Sequence, residues 1–350
     1  MSESAPPSSD APAPDAAPDA PPESSATDTE TPSLDPYTAH YPPWAKELAR
    51  KYFTKTVSTF ILHGDIRDVV PTEDRNGSRI YPSLRRFLTD DLFAARDVIV
   101  FYDRSAGIHF ADAASRKDFS RALSGQDRLE GTEYEGNLPK APDKVFELLE
   151  DYFRLRLSDG VRIACVVDYA ETVAPMAEAS MYSAQDRQSL VYLQKWSRDS
   201  LFLESDFTLT LLTENLTDLN QQLVQSPHTA EIYVPIPEEA DRQQYIDWAL
   251  EERGDLFRRH ADVAPTALAT NTAGLNYTQL RTILADVLEN QNRLTPDTLS
   301  DLKKEFIEAE AYGMLEFIET DNSLDLIAGH SEAKDHLRQA AHAVQTGQHD

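Results

Sequence analysis

The chain has 350 residues, with 33 basic against 60 acidic side chains, a net charge of -27 and a single cysteine. So acidic a surface cannot supply the clustered Lys and Arg that grip nucleic-acid or anionic-membrane phosphates, and one thiol excludes both a disulfide framework and a Cys-type zinc site within the chain. The length allows two or three modest domains.

From Met1 to Asp35 the chain carries eight acidic residues, no basic one and a single Leu. Such a segment cannot bury enough apolar surface to offset its ordering entropy, so residues 1–40 are expected to be a disordered, acidic, Pro/Ala-rich tail. It lacks a basic n-region and an apolar h-region, and its acidity argues against a transit peptide. No apolar run is long enough to span a bilayer, which gives the expectation of a soluble, cytoplasmic protein. Only ten of the 33 basic residues are Lys. That balance fits either a protein of a salt-rich cytoplasm or an ordinary acidic protein with an acidic tail.

Along the chain, Ala45 to Phe53 reads as a short amphipathic helix and Thr56 to Asp65 as a β-rich strand ending at the Gly64 turn. Leu84, Phe87, Leu88 and Leu92 give a helical period through Ser83 to Phe93, and Val98 to Tyr102 is a second buried strand. The polar stretch from Ala111 to Pro142 reads as a long connection with one broken helix. Asp143 is placed to cap a helix through Leu157. Strand Val161 to Val167 follows, with Cys165 as a small core residue, then helix Ala184 to Ser200 and strands Asp206 to Leu212 and Glu231 to Val234. Strands spaced by helices imply a parallel sheet with helices on both faces. From Glu238 onward only helices are predicted, at Glu238 to Glu252, Val263 to Thr270, Tyr277 to Gln291 and Pro296 to Ala309. Trp44 and Trp248 fall on amphipathic faces and are expected in the core.

Four segments carry candidate chemistry. Val166-Val167-Asp168 ends one strand in a carboxylate, with Glu171 shortly after; Thr213-Glu214-Asn215 puts a polar amide at the end of another. Pro235-Ile236-Pro237 leads into Glu238, Glu239 and Arg242, and Gly274-Leu275-Asn276-Tyr277 opens a helix in the all-α part. Each has a structural alternative: Asp168 as a turn or helix cap, Asn215 as the cap of a helix beginning at Leu216, and His63 as a turn residue instead of a ligand or base. The nine His show no H-x-x-x-H or H-E-x-x-H spacing, so no metal site is expected.

Taken in order, these segments resemble the AAA+ ATPases over roughly Thr56 to Ala309. In that family a Walker B strand, a sensor-1 strand ending in Thr-Asn, a Pro-containing lead-in to the helical lid and a Gly-initiated sensor-2 helix succeed one another at similar spacing. The resemblance implies a P-loop-NTPase-like α/β core over 41–237 and an all-helical lid over 238–312. It makes Asp168 and Glu171 Walker B-like remnants, Asn215 sensor-1-like, and Asp168, Asn215 and Gly274 the candidate nucleotide contacts. The departures weigh against catalysis. There is no Gly-Lys dipeptide, and Leu62-His63-Gly64-Asp65-Ile66-Arg67 stands where the family's phosphate loop belongs. Tyr169 replaces the second Walker B acid, and Ser226 to Ala230, the usual place of an arginine finger, has no Arg. Loss of cradle, water-positioning acid and finger removes most of the means of phosphoryl transfer. No catalytic residue is therefore expected.

The segments Gly313 to Glu319, Ser323 to His330 and Ala333 to Arg338 resemble the linker and first helix of a following AAA module, as in bacterial and plastid proteins whose degenerate first module precedes an active one. Residues 313–350 are thus expected to be an incomplete second module, the chain being truncated or split before its P-loop, and to form a loosely packed helix alone. ATP and Mg would bind only through that missing module. The expected function is a scaffold or regulatory module for ATP-driven protein remodelling, working as an oligomer. Its expected partners are AAA modules of the same or a neighbouring chain and a protein client, with no nucleic acid and no membrane. The alternative is a stand-alone protein-interaction module without a nucleotide role.

Overall fold

The computed structural model describes residues 38–54, 57–130, 138–178, 180–310 and 330–346. The expected tail, except its last three residues, and the linker at 313–329 lie outside them. The sheet and the helices that follow it belong to one unit, His40–Asp350.

Helix α1 (Pro43–Phe53) leads into β1 (Thr59–Gly64), the short antiparallel pair β2 (Thr72–Glu73) and β3 (Arg79–Ile80), and α2 (Leu84–Phe87). Then come β4 (Val98–Asp103), β5 (Gly107–Phe110), α3 (Ala113–Glu130), α4 (Pro142–Ser158) and β6 (Ile163–Val167). They are followed by α5 (Ala184–Trp196), α6 (Ser200–Glu204), β7 (Phe207–Leu212), α7 (Gln221–Val224) and β8 (Thr229–Val234).

Six strands make one sheet in the order β5-β4-β6-β7-β1-β8, parallel throughout except for the β4–β5 hairpin at one edge. The central strands β6 and β7 are buried at every residue, the mark of a parallel sheet covered on both faces. The alternation of the pleat divides them: Ile61, Cys165, Val167, Leu209 and Leu211 face a core with α4, Trp196 and Phe202, while Phe60, Leu62, Val166 and Ile232 face one with Trp44 and Phe87. Cys165 is fully buried, and burial pushes its thiol pKa up.

After β8 the chain is helical: α8 (Glu239–Leu250), α9 (Gly254–His260), α10 (Pro265–Asn271), α11 (Tyr277–Leu288) and α12 (Pro296–Glu310). They share a core through Ile246, Phe257, Leu268, Leu280, Ile283 and Leu284, into which Val69 and Tyr81 reach from the sheet domain. A last helix, α13 (Ser331–Thr346), shows mostly exposed side chains where they are described, Leu337 among them.

Several expectations shift in detail. Asp143 does not cap α4; Pro142 takes the first helical position, Ala141 the cap, and Asp143 sits in the first turn, where its charge suits the helix dipole. The helix expected through Phe93 widens after Phe87 into a π-turn over Leu88–Leu92, closed by Phe93 N donating to Leu88 O at 2.8 Å. That turn keeps Leu88 and Phe93 both buried, which a regular α-helix, turning about 100° per residue, would place on different sides. Helix Ala184 to Ser200 stops at Trp196, because Asp199 caps a new helix by accepting from Leu201 N at 2.9 Å. The helix expected in the connection 111–142 is not broken but the continuous 18-residue α3, whose buried Phe119 and Leu123 are too few to stand out among polar neighbours. Strand β5, just before it, is formed because Asp103 Oδ1 accepts from Ser105 N and Ala106 N and turns the chain back. Trp248 is not in the core: it is 41% exposed. Among the described residues no helix is long and apolar enough to cross a membrane.

Candidate functional site

In an open parallel sheet, ligands meet the crevice beyond the carboxyl ends of the strands, beside the strand where connections diverge. Here that strand is β1, flanked by β7 and β8, and its end is shaped by Gly64. With φ at +97°, and with any Cβ at this position falling only 2.5 Å from Val234 O, the site admits glycine alone. The backbone beyond it is already committed. Gly64 N donates to Glu214 O at 3.0 Å, Asp65 N to Val234 O at 2.9 Å and Ile66 N back to Gly64 O at 2.8 Å. The Ile66 side chain is buried in the core.

Arg67 then turns over the strand ends. Its Nη1 donates to Asp168 Oδ1 at 2.7 Å and its Nε to Glu214 Oε1 at 3.0 Å, while the guanidinium carbon lies 3.9 Å from the centre of the Tyr169 ring. Burial pulls the Arg67 pKa down, but hydrogen bonds and charge from Asp168 and Glu214 more than offset this and leave it raised. Tyr169 is held at φ +52°, a left-handed conformation unusual for a bulky residue, with its N–H donating to Asp168 Oδ1 at 2.9 Å. One cation thus joins the ends of β6 and β7 to the segment after β1. Asp168 and Arg67 are each about one-third exposed, so the pair is worth about 1 kcal/mol or less.

One residue on, Asp68 points the other way and is 4% exposed. Its Oδ2 accepts from Tyr277 N at 2.6 Å and its Oδ1 from Thr278 N at 2.9 Å and Thr278 Oγ1 at 2.7 Å. A carboxylate of the sheet domain therefore sits on the positive end of α11 in the helical part. Charge-assisted bonds of this kind, at a helix N-terminus, contribute about 1.5–3 kcal/mol. Asn276 completes the junction: its side chain and that of Gln279 cap each other's backbone N–H at 2.9 Å, and its Nδ2 reaches Asp65 Oδ1 at 3.4 Å. Behind it, buried Arg242 donates to Pro237 O at 2.7 Å and Ala269 O at 3.0 Å, tying the lead-in segment to α10; burial lowers its pKa.

Of the residues singled out from sequence, Asp168 and Tyr169 meet Arg67, and Glu171, Asn215, Gly274 and His63 have other surroundings. Glu171 is in the 3-10 turn after Tyr169, its Oε2 enclosed and accepting no hydrogen bond among the described residues. Asn215 occupies the cap position of the Leu216–Asp218 turn, yet its side chain makes no cap bond and donates instead to Asp218 Oδ2 at 3.2 Å. Its neighbour Glu214 is the residue that reaches the site. Gly274, at φ +91° with open space around it, serves the turn before α11. His63 pairs with Glu231 Oε1 at 3.0 Å on β8, a turn-end role. Sequence reasoning missed Arg67, Asp68, Glu214 and Asn276; the alternation of charge in Asp65-Ile66-Arg67-Asp68 straight after a buried strand was the available signal.

A family model for the AAA+ chaperone N-terminal Rossmann-like domain matches residues 30–235, and one for the AAA+ chaperone second helical domain matches residues 240–312. No curated protein matches the chain. Among solved structures, a chain of the HORMA:CdnC:Trip13 complex from E. coli MS115-1 is similar at 14% identity and a TM-score of 0.43, over 77% of this chain and 82% of that one. That likeness is too loose to bear on the site. The two family matches, which together span the sheet domain and the helices that follow it, place this chain in the AAA+ chaperone family.

Proposed function

We propose that this chain is a nucleotide-independent module of an AAA+ chaperone, with a core over 41–237 and a lid over 238–312 held at a fixed angle by the chain's own charges. It acts as a scaffold or regulatory unit that packs on AAA modules of the same or a neighbouring chain during protein remodelling. The single observation that carries this reading is the Asp65 to Asp68 segment, in the position of a phosphate loop. Arg67 takes the strand-end carboxylate Asp168 that would otherwise meet a magnesium ion, and Asp68 takes the helix terminus that would otherwise face phosphate.

The residues present do not fit a nucleoside triphosphate. A phosphate cradle needs several backbone N–H groups converging on one point, and those of Gly64, Asp65 and Ile66 are spent on carbonyls. Asp168 and Glu214 both engage Arg67, so a triphosphate here would meet two carboxylates and one cation already held by both, while Asp68 is spent on the helix terminus. Asp168, Asn215 and Gly274 are accordingly proposed as inherited fold positions and not as nucleotide contacts.

Amide hydrogen exchange tests the reading. Tyr277 N–H and Thr278 N–H are expected to exchange slowly without nucleotide and at the same rate with Mg-ATP. Nucleotide-dependent protection of these amides overturns it.

A further inference from the structure

Away from the strand ends, the lid holds a second concavity with different chemistry. A cleft of about 450 Å³ opens between α8, α11 and the segment around Tyr81. Its floor and wall are rings: Tyr81 lies 4.8 Å from Tyr245, 4.8 Å from Trp248 and 5.3 Å from Tyr277, centre to centre, and Tyr245 lies 5.1 Å from Tyr277. Tyr245 and Tyr277 are buried, whereas Trp248 stands at the rim. Large aromatic rings left partly open to water in a concave site are anchors for a partner, since the burial that would repay them is incomplete.

The charge at the mouth says what kind of partner. Helices α8 and α11 both end here, with Glu251 and Glu289 at their C-cap positions and no basic residue in either last turn. A helix C-terminus carries partial negative charge and favours cations, so carboxylates at two of them are locally unfavourable. Arg253 answers one by bonding Glu289. Glu251 and Glu252 have no ion-pair partner among the described residues, and Arg281, the other cation of the lining, is bonded to neither. Ring faces attract cations through their quadrupole, and carboxylates with helix ends at the lip add to that attraction. A local conflict that the fold leaves uncorrected, next to open aromatic surface, marks a place where an external group completes the interaction.

We propose that this cleft docks an extended segment of a partner protein through an Arg or Lys side chain, laid against Trp248 and Tyr81 and met by Glu251 and Glu252. The site is independent of the strand-end cluster and needs no nucleotide.

The test uses the whole chain. A displayed library of random peptides is selected against the protein and against its Trp248→Ala and Glu251→Gln/Glu252→Gln variants; Trp248 also serves as a probe, because Trp44 and Trp196 are buried. Peptides retained by the unmodified protein are expected to be enriched in Arg or Lys and to shield Trp248 from a soluble quencher. Replacing that Arg by the uncharged isostere citrulline is expected to weaken binding about tenfold, as is either variant. The proposal is overturned if no peptide is retained above the level of the variants, if selected peptides lack a basic residue, or if citrulline binds equally well. Because both glutamates are exposed, the double Gln variant folds even if Trp248→Ala does not.

Discussion

The two concave regions of this chain have opposite chemistry. Beyond the strand ends, where the fold would place a ligand, the groups of the Arg67 and Asp68 cluster are answered within the chain: Arg67 by Asp168 and Glu214, Asp68 by the first turn of α11, and the loop amides by carbonyls. In the lid cleft, Trp248 stays 41% exposed, and Glu251 and Glu252 gather at helix C-termini with no paired cation among the described residues. Position in a fold marks where an ancestor's ligand sat, whereas unsatisfied groups mark where a present ligand is wanted. By that measure the first region is structural and the second is available.

Substitutions sharpen the contrast, because those at the strand ends should cost stability and those at the lid cleft should not. The largest effect is expected at Gly64. Alanine there meets Val234 O at 2.5 Å in a backbone conformation L-residues avoid, so Gly64→Ala should destabilise by about 3 kcal/mol or more in denaturant unfolding. Next is Asp68→Ala, which strips one buried and one half-buried backbone N–H group and one hydroxyl of their acceptor. A loss of about 2–3 kcal/mol is expected, with faster exchange at Tyr277 and Thr278 before the sheet is affected. Asp68→Asn, which keeps one acceptor oxygen but no charge, should fall between. Equal stability of all three proteins would mean that the carboxylate does not hold the lid.

Arg67→Ala is expected to cost about 1 kcal/mol or less, since its partners are partly solvated. It frees Asp168 yet should not create Mg-ATP binding, because the loop amides remain committed. The smallest stability change, within about 0.5 kcal/mol, is expected for Glu251→Gln/Glu252→Gln, which alters two exposed side chains that have no ion-pair partner among the described residues. A large loss there would mean that these carboxylates hold the lid together, and would remove the contrast.

Much of the fold was legible in the sequence because it rests on periodicity. The runs Phe60 to Leu62, Val98 to Tyr102, Ile163 to Val167 and Phe207 to Leu212 are apolar enough to be read as buried strands, and the change to helices after Pro237 is plain. Strand β5 was lost because Gly107-Ile108-His109-Phe110 is short and half-exposed. The site was less legible. Asp168 could be picked out because a strand delivers it, but its partner Arg67 lies 101 positions earlier and Asp68 caps a helix 209 positions later. Pairings at such separation leave no local spacing to read. Asn215 drew attention as the polar amide of its motif, while Glu214 beside it, the residue that bonds Arg67, has no role in that motif. Trp248 was misjudged because amphipathic spacing tells which face an aromatic occupies and not whether a neighbour covers it.

The claim that this module works without nucleotide is tested most directly by titrating the purified chain with Mg-ATP in a calorimeter, beside Asp168→Ala and Arg67→Ala. The account predicts no saturable binding by any of the three. Micromolar binding by the unmodified chain that Asp168→Ala abolishes would contradict it.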